Sequence, residues 1–138
     1  MFATVQLIAL TLVVAVSAAS AALPIDCARN YTVASGDTCN TIGAAEKVSL
    51  FQLLHVNPEI DANCSDLSIG EDLCLGRKGQ DCTDVYVVQS GDFCAKIAQT
   101  AGIPLDTLLA NNGNINSACS NLGVGEVVCI AKEVIKYT

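Results

Sequence analysis

YTVASGDTC at residues 31–39 and YVVQSGDFC at residues 86–94 are one segment written twice, 55 positions apart. Outward from it the cysteines keep the same register. Cys27, Cys39, Cys64 and Cys74 map onto Cys82, Cys94, Cys119 and Cys129, each set spaced C-x11-C-x24-C-x9-C. Three retained spacings identify a duplicated unit, and a repeat sets how the rest of the chain is read. Aligned without a gap, 27–75 and 82–130 share nineteen identities in forty-nine positions.

Each copy predicts the same order of elements. Tyr31-Thr32-Val33 and Tyr86-Val87-Val88 are β-branched and aromatic, and a Ser-Gly-Asp turn signal cuts each off, so each reads as a short strand. Asp37 and Asp92 follow Gly36 and Gly91, and Asp37 reads as the N-cap of a helix that recurs through Cys39, Ile42 and Ala45. A second helix carries the apolar stripe Leu50, Leu53, Leu54 behind Ser49, or Leu105, Leu108, Leu109 behind Pro104. Asn57-Pro58 and Asn112-Gly113 end those helices. A last short strand is expected at 73–75 and 128–130, with Leu73 and Leu75 inward and Cys74 outward.

The expected fold is α+β: two tandem βααβ units, each a two-stranded antiparallel sheet with two helices on one face. So small a core commonly needs cross-links. Four cysteines per unit allow three pairings. Proximity favours Cys27 with Cys74 and Cys39 with Cys64, repeated as Cys82 with Cys129 and Cys94 with Cys119; the other pairings, bonds between units included, stay open.

The first twenty-five residues carry no Lys, Arg, Asp or Glu and end in small residues with A-x-A-like triplets at 19–22. Residues 1–22 therefore read as a signal peptide, whose apolar run from Val5 to Val16 is shorter than the roughly 20 residues a membrane span needs. Beyond it come the units at 27–75 and 82–130, a short polar linker at 76–81 and a tail at 131–138. An even cysteine count behind a signal segment predicts a secreted, disulfide-bonded protein. Asn30-Tyr31-Thr32 and Asn63-Cys64-Ser65 match the N-glycosylation pattern, which makes Asn30 and Asn63 candidate acceptors.

The net charge of −7, with only Arg77-Lys78 adjacent among the basic residues, argues against nucleic acid and anionic membrane as partners. Without a C-x2-C pair and with one histidine, His55, facing Ala110 in the second copy, no metal site is expected. No cofactor is expected either. A glycosidase needs a placed pair of carboxylates. Glu46, Glu59, Asp61 and Asp66 align with Ala101, Asn114, Asn116 and Asn121, so no catalytic residue is expected.

From Tyr31 to Thr38, and on through Ile42, Leu53, Asn57-Pro58, Ile60, Leu67, Gly70 and Leu73, the first unit resembles a LysM domain. The second repeats the match from Tyr86 to Asp92 onward. The cysteines make it similar to the secreted fungal group known as LysM effectors. The resemblance implies non-catalytic binding of chitin or N-acetylglucosamine oligomers, with peptidoglycan in other members, in a groove between the loops flanking the two helices. Carried over, the sites use Gly36, Asp37, Thr38, Asn57, Pro58, Glu59 and Ile60, and Gly91, Asp92, Phe93, Asn112, Gly113, Asn114 and Ile115. Phe93 in place of Thr38, and Gly113 in place of Pro58, set the second site apart, with Gly113 expected to free its loop. Two close sites also suit one oligosaccharide bridging two protomers. A different class of reading is a disulfide-rich structural wall protein whose groove is unused.

Overall fold

The computed structural model describes residues 12–14 and 22–138. Apart from 12–14 and 22, the expected signal segment lies outside the described residues. The first unit runs β1 (Cys27–Thr32), α1 (Cys39–Glu46), α2 (Leu50–Val56), β2 (Asp72–Arg77), and the second β3 (Val85–Val87), α3 (Cys94–Ala101), α4 (Leu105–Asn111), β4 (Val127–Cys129). β1 pairs antiparallel with β2, and β3 with β4, as two separate sheets. Tyr31 faces Leu73 and Tyr86 faces Val128, so both copies keep one register. The bridges are Cys27–Cys74, Cys39–Cys64, Cys82–Cys129 and Cys94–Cys119.

Leu73 and Leu75 turn inward as expected and join Val33, Ile42, Leu53 and Ile60 in the first core. Val88, Ile97, Leu108, Ile115 and Val128 build the second. Cys74 departs from the expectation: it lies on the opposite side of the strand, yet it is fully buried. Its sulfur is bonded to Cys27, and its peptide group is clamped by Asn57. Asn57 Nδ2 donates to Leu53 O at 2.8 Å and to Cys74 O at 2.6 Å, while Oδ1 accepts the Cys74 N–H at 2.8 Å. Asn112 repeats this on Leu108 and Cys129, with all three bonds at 2.8 Å. A carboxamide carries the donor and acceptor of a peptide group, so each asparagine substitutes for a third strand while capping the preceding helix.

The first turns differ from the sequence reading. Thr38, not Asp37, is the N-cap of α1, in a capping box with Thr41; Phe93 occupies that position in α3 without a side-chain bond. Gly36, at φ 85°, turns the chain so that the Asp37 carboxylate points backward, accepting Ala34 N–H at 2.7 Å and Tyr31 OH at 2.8 Å. Asp92 does the same for Gln89 N–H and Tyr86 OH and adds Lys96 Nζ at 2.9 Å. These bonds, the Tyr86 hydroxyl foremost, hold the Asp92 carboxyl at about 2 against an ordinary 3.8. Ser49 does cap α2, accepting Gln52 N–H.

Ala45, expected on the buried stripe of α1, is exposed, and Gly43 is buried in its place. Helical spacing after Cys39 and Ile42 is the reason, because Ala98, at the position of Gly43, is buried in the second unit too, and Thr100, at that of Ala45, is exposed. A Cβ on Gly43 would stand 3.1 Å from Val127 of β4 and 2.6 Å from Val48 O. Gln52, fully buried on α2, is the hub of this seam. Its Nε2 donates to Leu75 O at 2.7 Å and Asp81 Oδ1 at 2.8 Å. Its Oε1 accepts Cys82 N–H at 2.8 Å and Tyr137 OH at 2.9 Å. Arg29 forks onto both oxygens of Asp81 at 2.7 Å. Burial works against ionising Asp81, but Arg29 and Gln52 outweigh it and keep the carboxyl below its usual range. The tail at 131–138 returns to the first unit, where Tyr137 packs edge-on against Phe51.

Replacing Gln52 with Ala strands several buried groups at once, each worth about 1–3 kcal/mol. Denaturant unfolding of Gln52→Ala is therefore expected to show a loss of roughly 3 kcal/mol or more. Asn57→Ala and Asn112→Ala are each expected to lose roughly 2–4 kcal/mol by the same measurement. Asp92 has its folded-state value depressed, so its stabilisation is complete above the ordinary 3.8 and disappears as pH falls towards 2. The thermal-melting advantage of the native chain over Asp92→Asn should be largest at neutral pH and shrink across that acid window.

Candidate functional site

Gly36, Asp37 and Thr38 lie on the loop from β1 to α1, and Asn57, Pro58, Glu59 and Ile60 open the loop from α2 to β2. Their side chains face different ways. Asn57 and Ile60 are buried, 2% and 8% exposed, the first clamping β2 and the second in the core. Asp37 closes its own turn. Gly36, Thr38, Pro58 and Glu59 face solvent.

Thr38 lines an open cleft of about 200 Å³ with Asn40, Leu50, Ala62 and Asn63, walled by Cys39 and Cys64. Pro58 and Glu59 line another cleft of about 200 Å³, with Val56, Asp72, Arg77 and Pro24. The two expected halves therefore fall into different depressions. Ala62 and the cleft position of Asn63 were not anticipated; the signal for them is that they directly precede Cys64, whose bond to Cys39 draws that loop against Thr38.

The cleft wall is held by Asp61. Its carboxylate accepts the backbone N–H groups of Asn63 at 3.0 Å and Ser65 at 2.9 Å, and the Ser65 hydroxyl. Its own N–H donates to Asp66 Oδ1 at 3.0 Å. Asn116 and Asn121 reproduce this closure in the second unit, with Ser120 N–H on Asn116 Oδ1 at 2.9 Å and Asn116 N–H on Asn121 Oδ1 at 2.9 Å. Acid and amide are interchangeable here because the loop needs acceptors, not charge. The Ser65 hydroxyl, with the backbone bonds, holds Asp61 below the usual carboxylate range. A carboxyl kept ionised in this way is unsuited to the protonated role in glycoside hydrolysis.

In the second unit Gly91 is exposed, the Asp92 side chain is 2% exposed and Phe93 is 57% exposed. Asn112 and Ile115 are buried like their counterparts. Asn114 Nδ2 donates to Glu126 Oε1 at 2.5 Å. Gly113 meets the first unit: a Cβ there would stand 3.0 Å from the Phe51 ring. The freedom expected of that loop is thus limited by an aromatic neighbour, and Pro58's counterpart has to be small. A separate apolar pocket of about 110 Å³, between Tyr86, Ile97, Ala101 and Ile130, touches the candidate residues only through Asp92.

Among the described residues, no group of three or more His, Cys, Asp or Glu side chains is placed to hold a metal ion. His55, exposed at the end of α2, lies against Phe51 and Tyr137 with ring centroids 5.8 Å and 5.4 Å away.

The LysM domain profile matches residues 31–76 and 86–131. The chain is 30% identical over 115 residues to the secreted LysM effector LysM2 of Penicillium expansum, covering 78% of this chain and 33% of that protein. It is 30% identical to the secreted LysM effector LysM1 of Trichophyton rubrum, covering 76% of this chain and 51% of that one. The non-secreted LysM effector LCP1 of Gibberella moniliformis is 32% identical, over 80% of this chain and 15% of its own length. The chain thus spans about half or less of these relatives. LysM is a carbohydrate-binding domain, not a catalytic one. With both copies matched across their βααβ cores and the cysteine frame closed within each, this chain belongs to the LysM family and carries two copies of its domain.

Proposed function

We propose that the protein is an extracellular, non-catalytic binder of chitin or N-acetylglucosamine oligomers, with the Thr38 cleft as its first site and the Phe93 loop as its second. The observation that carries this reading is the cleft's lining. In a chain of net charge −7, Thr38, Cys39, Asn40, Leu50, Ala62, Asn63 and Cys64 bring no charge to it. Hydroxyl, carboxamide and backbone groups suit the amide donor and carbonyl acceptor of an acetamido group, and Leu50 suits its methyl. Asn40 supplies one of the carboxamides of this lining.

The exposed Phe93 gives the second site a ring face where the first has a hydroxyl, so the copies differ in how they hold a sugar. Secretion fits the relatives named as secreted effectors and the apolar leader at 1–22. Binding of this kind sequesters chitin fragments from detection or shields a fungal wall. Two sites on one body also favour long oligomers through effective concentration, or bridge two protomers through one chain.

The test is sedimentation of the secreted protein with insoluble chitin, cellulose, xylan and bacterial peptidoglycan. Retention on chitin alone is expected. Retention on peptidoglycan instead would transfer the specificity, and no retention on any of them would leave a structural wall role. In protein made without N-glycans, Asn40→Ala and Phe93→Ala are each expected to weaken affinity for chitotetraose at their own site about fivefold to tenfold in titration calorimetry, the loss of about one contact of 1–1.4 kcal/mol.

A further inference from the structure

Asn63 is both a wall residue of the Thr38 cleft and the acceptor of an N-x-S sequon, and the two roles conflict. We propose that an N-linked glycan on Asn63 covers the first unit's cleft and keeps it closed to external oligosaccharide, leaving the second unit open. This rests on the reading of the cleft as a site for N-acetylglucosamine oligomers.

Asn63 is exposed, and its backbone N–H is fixed by Asp61 at 3.0 Å, so the direction in which a glycan leaves the loop is set by a rigid turn. Cys64 beside it is bonded to Cys39, the residue after Thr38, which holds the attachment point at the cleft. The transfer joins the anomeric carbon of N-acetylglucosamine to Asn63 Nδ2 and breaks that carbon's bond to the pyrophosphate of a lipid-linked oligosaccharide donor. It releases the lipid pyrophosphate and the amide proton. The first sugar of such a glycan is the chemical class the cleft is suited to, so the attached chain competes at very high effective concentration.

The second unit lacks this device, because Ala118-Cys119-Ser120 replaces Asn63-Cys64-Ser65. Asn30, the other sequon, is exposed on β1 and is not among the residues lining the cleft. A glycan there leaves the cleft free. The copies would then differ in availability as well as in lining.

The experiment uses the full chain secreted from eukaryotic cells, the same chain secreted under tunicamycin, which blocks N-glycan transfer and leaves Asn63 intact, and the Ser65→Ala and Asn30→Gln variants, each lacking one sequon. Glycopeptide mass reads occupancy, and calorimetric titration with chitotetraose reads sites per chain. The expected result is a glycan on Asn63, with one binding site gained per chain under tunicamycin or in Ser65→Ala and none gained in Asn30→Gln. A bare Asn63, or equal site numbers with and without its glycan, would overturn the proposal. Absence of binding in every form would overturn the carbohydrate reading of the cleft itself, and the proposal with it.

Discussion

Each unit depends on one side chain that does the work of a missing strand. A two-stranded sheet leaves one edge of each strand unpaired, and buried backbone groups tolerate that poorly. Asn57 and Asn112 supply donor and acceptor to the peptide group at Cys74 and Cys129, and tie the same point to the last turn of the preceding helix. The loop that follows therefore leaves from a fixed place. The bridges then close loops of 47 and 25 residues in each unit, worth about 4 and 3.5 kcal/mol in the chain-entropy account. Cys39–Cys64 has a second consequence, since it sets Thr38 and Asn63 across one cleft.

The two copies diverge most instructively where they touch. Gln52 aligns with Thr107, Phe51 with Asp106 and Gly43 with Ala98, and each of the first-unit residues faces the second unit or its tail. Gly76, aligned with Ala131, has no room for a Cβ beside Asp81 and Gln52. The polar hub is enclosed enough to push the Tyr137 hydroxyl up to about 12, by burial first and by the Asp81 charge second. The hydrogen bonds and ion pair of this hub make the pair of domains one body. The two units are then held in a fixed relative orientation.

Charge follows the same division between frame and surface. Asp61 and Asp66 became Asn116 and Asn121 without altering the loop, because only their acceptor atoms matter there. Asp37 and Asp92 are retained because a tyrosine hydroxyl and a turn N–H both converge on one carboxylate oxygen. The same identity that looked like a ligand signal is accounted for by a turn.

Repetition in the sequence determined the fold class, the element order and the inward leucines, and proximity favoured the disulfide pairing that the structure closes. These are local or near-local properties: periodicity, turn chemistry and the nearness of strand ends recur in both copies and reinforce each other. Tertiary structure alone decided which of the shared residues are available to a ligand. Asn57 and Ile60 are turned inward by the sheet edge and the core, and Asp37 backward by its turn. It also enclosed Gln52, which follows from the packing of one unit on the other, and an alignment of a repeat with itself carries no term for the contact between its copies.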